Sequence, residues 1–242
     1  MERIINNQSE KYILFPKDRK ALEQMIREEI DKQGPEADLN HIDVSDITDF
    51  SSLFKRSEFN GDISRWDVSN ATNMEWMFYC AYNFNGDISD WDVSNVTNMS
   101  KMFYEAKSFN QDISGWDVSN VTDMNWMLCN SNFNGDVSTW DVRNVTDMTC
   151  MFRGCGLFNS NLKRWNTKNV KNMSYMFHNC ESFNQDISRW DVSNVTTMIE
   201  MFFGAVSFNQ DISRWNVSNV MYMRDMFFNC SCSEDHMPKF SK

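Results

Sequence analysis

The sequence has few of the residue types on which catalytic and phosphate-binding sites depend. Its 242 residues include three histidines and eight glycines. The histidines, His41, His178 and His236, lie in different sections of the chain. We find no glycine-rich phosphate loop and no nucleophile motif. The sequence therefore argues against an enzyme and predicts no cofactor.

Long apolar runs and an excess of positive charge are also missing. No run approaches the roughly 20 apolar residues that span a bilayer, and the N-terminal "MERIINNQSEKYILFPKDRK" lacks the apolar centre of a signal peptide. The net charge of −11 argues against nucleic acid and anionic membrane as partners. Seven cysteines, an odd count, indicate reduced thiols. We therefore expect a cytoplasmic location.

Tryptophan recurs at a nearly constant spacing of 25 residues, with a single spacing of 24. The positions are Trp66, Trp91, Trp116, Trp140, Trp165, Trp190 and Trp215. A degenerate leading copy has Ile42 in the tryptophan place. The repeats cover about residues 41–230, and we call each one a coil.

The copy that starts at Phe84 shows two local patterns. Met99, Met102, Phe103 and Ala106 follow the spacing of one helix face, and Thr97-Asn98 before them are N-cap types. Residues 88–93, "ISDWDV", are β-branched and aromatic, which favours a short strand. Neither element buries its apolar face alone, but stacked copies do. The sequence predicts an α/β fold, a leucine-rich-repeat-like right-handed solenoid of short parallel strands and short helices.

The two ends differ from the coils in composition. Residues 1–40 are interpreted as an N-terminal cap, in which "YILF" forms a short strand and a helix follows Pro16. Leu22, Met25, Ile26 and Ile30 line one side of that helix, and Gly34-Pro35 ends it. Residues 231–242 are interpreted as a tail or a weak C-terminal cap.

The stretch "FNGDISDWDVSNVTNMSKMFYEAKSFNQDISGWDVSNVTDM", residues 84–124, resembles the BspA-like repeat of bacterial proteins. That repeat is grouped with the leucine-rich repeats and occurs on surface proteins and lipoproteins. The resemblance implies a leucine-rich-like solenoid with a binding or adhesion role and no enzyme. It also makes a cell-surface or secreted location the alternative. The copy at 158–177 departs from the pattern at Asn161, Lys163, Thr167 and Lys168.

Two polar patterns raise the question of a metal site. Aspartates precede the strand by a constant offset, at Asp62, Asp87, Asp112, Asp136, Asp186 and Asp211. They either bind calcium or accept backbone N–H bonds within their own turns, and we favour the turns. Cys230, Cys232 and His236 are one ligand short of a zinc site. We therefore predict no metal.

Four cysteine positions, Cys230 among them, also have a simpler interpretation. Cys155 and Cys180 fall at the helix position that Ala81 and Ala106 occupy, which faces the core, and Cys230 falls there too. Cys150 falls at an outward position and is the candidate for a reactive thiol.

Residues that change from coil to coil are the candidate binding residues. The outward row of the predicted helices holds Trp76, Tyr79, Tyr104, Trp126, Tyr175, His178, Phe203 and Phe228, which we call the aromatic stripe. The residue before each tryptophan forms a second row, the arginine row: Arg65, Asp90, Gly115, Thr139, Arg164, Arg189 and Arg214. Aromatic side chains are enriched at interfaces. We expect a protein partner or a homo-oligomer to bind the stripe, and an acidic segment to bind Arg164, Arg189 and Arg214.

The function predicted from these features is a non-catalytic protein-binding scaffold. One alternative is an acidic mimic of nucleic acid that inhibits a DNA-binding enzyme. The other is a surface adhesin that binds a host protein.

Overall fold

The repeats stack on one another through single parallel β-bridges. The computed structural model describes residues 14–240 and contains one α-helix there, α1 (Arg19–Gln33), and a short 3-10 helix, Glu234–His236. Within that range β-pairing is confined to isolated bridges, one of which joins each coil to the next, as in Asn73 to Asn98. The repeat array is therefore a solenoid, although its coils are built almost entirely from turns.

The apolar residues of the repeat form one continuous core. Phe84 stacks on Phe109 of the next coil with ring centroids 6.2 Å apart, and both side chains are fully buried. The indole N–H of Trp91 donates to the Ile63 carbonyl of the preceding coil at 3.2 Å. Because the polar atom of the tryptophan is satisfied, its large ring is buried without leaving an unpaired donor.

The helix predicted in each coil is wrong, and residues 74–81 show why. The Met77 N–H bonds to the Met74 carbonyl at 3.2 Å in a local turn, whereas the Trp76 N–H bonds to the Ser100 carbonyl of the next coil at 3.0 Å. Trp76 and Cys80 have φ values of 61° and 53°, which no α-helix accommodates. We call residues 74–81 and their equivalents the turn segment.

The turn segment is held by bonds between coils. The N–H groups of Met74, Trp76, Phe78 and Cys80 all donate to carbonyls of the next coil. Four bonds at about 1 kcal/mol each are of the same order as the cost of two left-handed residues, at about 1–2 kcal/mol each. Burial of the side chains therefore decides the balance in favour of the turns.

The inward face predicted for this segment is confirmed despite the wrong element. Met74, Met77, Phe78 and Ala81 are fully buried, and Trp76 is only partly buried. Apolar residues spaced three and four apart lie on one side of a helix. Consecutive turns that repeat every four residues place the same residues on one side as well.

The strand predicted at residues 88–93 is also wrong. The Ser89 N–H donates to the Asp87 carboxylate at 3.0 Å, and the Trp91 N–H donates to the Ile88 carbonyl at 3.3 Å. The segment is a pair of turns, and Trp91 and Val93 are still buried. Trp91 and Val93 are therefore buried, with the exposed Asp92 between them, although the backbone here is not an extended strand.

Helix α1 covers the first coil. It begins at Arg19, after Asp18, whose carboxylate accepts the Ala21 N–H at 2.8 Å, and so starts later than Pro16 suggested. Leu22 and Ile26 are buried against the core. The helix ends where Gly34 adopts a φ of 86°.

The segment before α1 is only partly described. Tyr12 and Ile13 of the predicted "YILF" strand lie outside the described residues. Leu14 forms an isolated parallel bridge with Ile42. The arginine side chain of Arg19 binds the Ser51 carbonyl of the first coil through Nε at 2.8 Å and through a second guanidinium nitrogen.

The C-terminal segment packs on one part of the last coil. The Ile212 N–H donates to the His236 carbonyl at 3.0 Å, and the Ser233 N–H donates to the Asn209 side chain at 2.9 Å. Pro238 is buried there. Residues 241–242 of the predicted tail lie outside the described residues.

Candidate functional site

The first part of the aromatic stripe is a stack of four rings from three coils. Trp76 stacks on Tyr79 with ring centroids 5.1 Å apart, and Tyr79 stacks on Tyr104 at 4.7 Å. Trp126 is tilted against Tyr104 at 5.8 Å. All four side chains are partly buried, so part of each remains in contact with solvent.

Lysine side chains lie over this stack. The Lys55 ammonium is 3.4 Å from the Trp76 ring centroid and 5.1 Å from that of Tyr79, and the Lys101 ammonium is 5.0 Å from Trp76. Cation–π contacts of this kind hold the lysine stems over the rings. Burial raises the pKa of Tyr104 to about 12, so its hydroxyl stays neutral and remains a hydrogen-bond donor. This part of the stripe combines apolar area with positive charge.

The second part of the stripe contains Tyr175, His178, Phe203 and Phe228. His178 stacks on Phe203 at 4.7 Å between centroids, and Phe203 stacks on Phe228 at 5.0 Å. Tyr175 is tilted against His178 at 6.0 Å. Exposure rises along the row, from 8% for His178 to 60% for Phe228.

His178 is a core residue of this part and not a surface ligand. Its Nε2 lies 3.3 Å from the Glu200 carboxylate, and Nδ1 is buried with no hydrogen-bond partner among residues 14–240. Burial lowers the pKa of the His178 imidazole, Arg153 lowers it further, and Glu200 opposes both. The imidazole is therefore mostly neutral at pH 7 and packs as an aromatic ring.

The stripe is interrupted at the coil between Trp126 and Tyr175. That coil places Cys150 and Arg153 at the two stripe positions. Cys150 was predicted to face outward, but only 1% of its surface is exposed. Its side chain is short and the neighbouring coils carry large rings at the same position, so it is shielded. The stripe is two aromatic clusters and not one continuous row.

The arginine row lies on the surface throughout. Arg65, Asp90, Gly115, Thr139, Arg164, Arg189 and Arg214 are all exposed. Three arginines occupy the same position in three successive coils, Arg164, Arg189 and Arg214. Near this row, the Lys163 ammonium lies 2.7 Å from the Asp186 carboxylate and lowers the pKa of that carboxyl to about 2.

The aspartate rows hold the turns of their own coils. The Asp112 carboxylate accepts the Ser114 N–H at 2.9 Å, and the same bond recurs between Asp87 and Ser89. Bonds from the Ser94 side chain and backbone lower the pKa of Asp92, the first aspartate after Trp91. No cluster of three or more histidine, cysteine or acidic side chains that could hold a metal ion occurs between residues 14 and 240.

Asparagine side chains hold one coil to the next, a role that the sequence analysis did not predict. The Asn85 side-chain oxygen accepts the Asn110 N–H at 2.9 Å. In a second row, the Asn95 amide donates to the Ser69 carbonyl at 2.8 Å. The recurrence of these asparagines at a fixed place in each coil was the feature of the sequence that could have predicted this role. Like the aspartates, they serve the fold.

The cysteines are shielded from reagents. Six of the seven are buried, and Cys230 is partly buried. Burial raises the pKa of Cys129 to about 11 and that of Cys155 to about 12. The core positions predicted for Cys155 and Cys180 are confirmed, since both are fully buried.

We expect the folded protein to react slowly with a thiol reagent such as Ellman's reagent. At pH 8 the thiols should react about 100-fold more slowly than in the unfolded chain, because little thiolate forms and access is blocked. Stopped-flow absorbance in buffer and in guanidinium chloride measures both rates. Rapid labelling of Cys150 in the folded protein, located by mass spectrometry, would contradict the burial found for it.

The stacked coils, the shared aromatic core and the variable surface rows define the chain as a solenoid repeat protein. The chain belongs to the family described as Mycoplasma protein of unknown function, DUF285, whose model matches residues 20–134 and 129–240. No curated protein matches it. The resemblance to the BspA-like repeat stays a prediction.

Among solved structures, the chain has a low similarity to internalin C2 (inlC2) of Listeria monocytogenes. The match has a TM-score of 0.28 and 12% sequence identity, and it covers 69% of this chain and 75% of that one. These values are too low for the likeness to bear on fold or function. Among residues 14–240, no helix is long and apolar enough to cross a membrane.

Proposed function

We propose that this chain is a non-catalytic scaffold that binds a protein partner through the side of its solenoid. The observation that carries the proposal is the aromatic stripe. The stripe positions vary from coil to coil, yet most of them hold rings that come together in two stacked clusters, and every ring except that of His178 is at least partly exposed. Rigid aromatic groups supply large contact area at low entropic cost, which is why they dominate binding hot spots.

The recurring residues support a structural role for the remainder of each coil. Tryptophan and phenylalanine fill the core, asparagine joins coils, and aspartate accepts bonds within its turn. Six of the seven thiols are buried, and burial raises the pKa of Cys129 and Cys155, which opposes nucleophilic chemistry. Function is therefore assigned to positions that the fold leaves free.

Charged groups on the first cluster and in the arginine row would set selectivity. Lys55 and Lys101 lie on the first cluster, and Arg164, Arg189 and Arg214 form an exposed basic row. A partner segment with acidic residues around an apolar anchor fits both surfaces.

The proposal is tested by comparing two matched double variants. Trp126→Ala/Phe203→Ala removes one ring from each cluster, whereas Tyr82→Ala/Leu157→Ala removes exposed apolar side chains outside the stripe. Immobilised chains are exposed to lysate of the source cells and to host extract. We expect the first variant to lose about 10-fold or more of a captured partner, and the second to retain it.

The same experiment separates the alternatives. Equal capture by both variants would overturn the role of the stripe, provided that both melt like the parent chain. A partner found only in host extract favours the adhesin. A basic DNA-binding partner that is released steeply by salt favours the acidic mimic. Self-association that only the stripe variant abolishes, measured by sedimentation, identifies a homo-oligomer.

A further inference from the structure

The two ends of the solenoid are capped differently. At the N-terminal end, α1 covers the first coil and Arg19 occupies the Ser51 carbonyl, which points away from the second coil. At the C-terminal end, residues 233–238 pack beside Asn209 and Ile212. They leave residues 221–229, which include most of the last turn segment, uncovered. We call residues 221–229 the open edge.

The open edge carries a row of hydrogen-bond donors. In the preceding coil the N–H groups of Met198, Glu200, Phe202 and Gly204 donate to the Tyr222, Arg224, Met226 and Phe228 carbonyls. The corresponding donors of the last coil are the N–H groups of Met223, Asp225, Phe227 and Asn229. None of these four has an acceptor among residues 14–240.

The side chains of the open edge are apolar where the earlier coils are polar or covered. Met223 is 37% exposed, whereas Met198 at the same position of the preceding coil is fully buried. Met221 and Tyr222 replace Thr196 and Thr197 and are 67% and 60% exposed. The last coil therefore gains apolar surface at the place where its backbone lacks partners, as an interface would.

We propose that the open edge binds a coil of the same kind presented by another polypeptide. An added coil would offer its carbonyls to the four free donors and would cover Met223 as each coil covers the one before it. A flat strand fits less well, because the turns of the edge bring residues i and i+3 within about 7 Å, against about 10 Å in a strand. The site shares Phe228 with the aromatic stripe, but its four donors are backbone groups and Met223 lies outside the stripe.

A second copy of this chain cannot supply that coil in its folded form. Its own open edge presents the same donors, so two open edges face each other without acceptors. Its first coil, which carries the complementary carbonyls, is covered by Leu22, Ile26 and Arg19. The partner is therefore a chain whose first coil is uncovered.

The test creates such a partner from the protein itself. The full-length variant Leu22→Asp/Ile26→Asp breaks the contact of α1 with the first coil. Head-to-tail contacts do not close, so this variant should form concentration-dependent linear assemblies, and unmodified chain should shorten them by blocking their growing ends. Analytical ultracentrifugation measures both effects. Adding Met223→Asp and Tyr222→Asn to the variant should abolish assembly.

Three outcomes would overturn the proposal. One is a folded variant, with unchanged circular dichroism in its coils, that stays monomeric. Another is assembly that persists with Met223→Asp and Tyr222→Asn. The third is binding of the unmodified chain to phosphatidylcholine vesicles that Met223→Asp abolishes, without assembly, since the edge would then be a lipid contact.

A second measurement decides the matter if the variant does not fold. A synthetic peptide of residues 46–57, "DITDFSSLFKRS", carries the carbonyls of the first coil. It is titrated into the unmodified, isotopically labelled chain up to about 1 mM. We expect NMR shift changes at the amides of Met223, Asp225, Phe227 and Asn229. No change, or changes confined to the aromatic stripe, would overturn the proposal. The single stripe variant Trp126→Ala, whose ring lies in the other cluster, should bind the peptide normally, so this test and that of the scaffold function fail independently.

Discussion

Phe109→Ala should lower the free energy of unfolding by about 3–5 kcal/mol, the range for removing a fully buried aromatic side chain. Phe109 lies in the middle of the array, with its ring centroid 3.8 Å from that of Phe103 and about equally far from Phe84 and Phe133, at 6.2 Å and 6.1 Å. Truncation opens a cavity between three coils. Because each coil contacts only its neighbours, the loss weakens both interfaces of the central coil.

Chemical denaturation followed by tryptophan fluorescence and circular dichroism measures this loss. Leu157→Ala is the matched control, because it also shortens an apolar side chain but at a position that is 66% exposed. We expect the control to change stability by no more than about 0.5 kcal/mol. A loss below about 1 kcal/mol for Phe109→Ala would show that the core closes around the cavity or that this packing is wrong.

Gly61→Ala should destabilise the N-terminal end by about 3 kcal/mol, the upper part of the usual range for overpacking. A β-carbon at residue 61 would lie 2.0 Å from the Ala37 carbonyl oxygen and 2.7 Å from the Phe59 ring. The Ala37 backbone cannot move away freely, because its carbonyl accepts the Asp62 N–H at 3.0 Å. The added methyl group should therefore separate the first coils from residues 34–37.

Gly115→Ala is the control for this prediction. A β-carbon at residue 115 meets no atom within 4 Å, so the same chemical change should alter stability by no more than about 0.5 kcal/mol. Hydrogen exchange should show faster opening near Ala37 and Asp62 in the Gly61 variant alone. Equal stability of the two variants would refute the close approach of these backbones.

The sequence was sufficient to predict which residues form the core, but not to predict the conformation of the backbone. The repeat placed Met74, Met77 and Phe78 inside, as found, because apolar residues must be buried whatever element carries them. It gave the wrong element because the bonds that decide it join residues 24 apart, such as Trp76 to Ser100. One signal was present. The second left-handed position of each coil is held by Asn130, Gly154, Asn179, Gly204 and Asn229 in five coils, and these residue types favour positive φ.

The sequence predicted which aromatic residues belong to the candidate site, but not that the stripe is interrupted. Trp76, Tyr79 and Tyr104 form the stack that their outward positions indicated. The interruption at Cys150 could not be derived, because its burial depends on the sizes of side chains in two neighbouring coils. The open edge was hidden for another reason. The sequence gives no indication that the C-terminal segment covers residue 212 and leaves residue 223 free.

The hydrogen bonds between turn segments all point the same way, and this gives the molecule electrical poles. Within the turn segments each coil donates N–H groups forward and presents carbonyls backward, so these peptide dipoles add along the axis as they do within a helix. Fewer backbone bonds run the other way, such as the one from the Thr97 N–H to the Thr72 carbonyl. The positive pole is at the open edge, and the negative pole is at the first coil, where the Arg19 guanidinium binds a carbonyl. This order is the reverse of that along an α-helix, whose positive pole is at its N-terminus. Anionic groups should therefore be attracted to the C-terminal end of the solenoid, however many coils separate the poles.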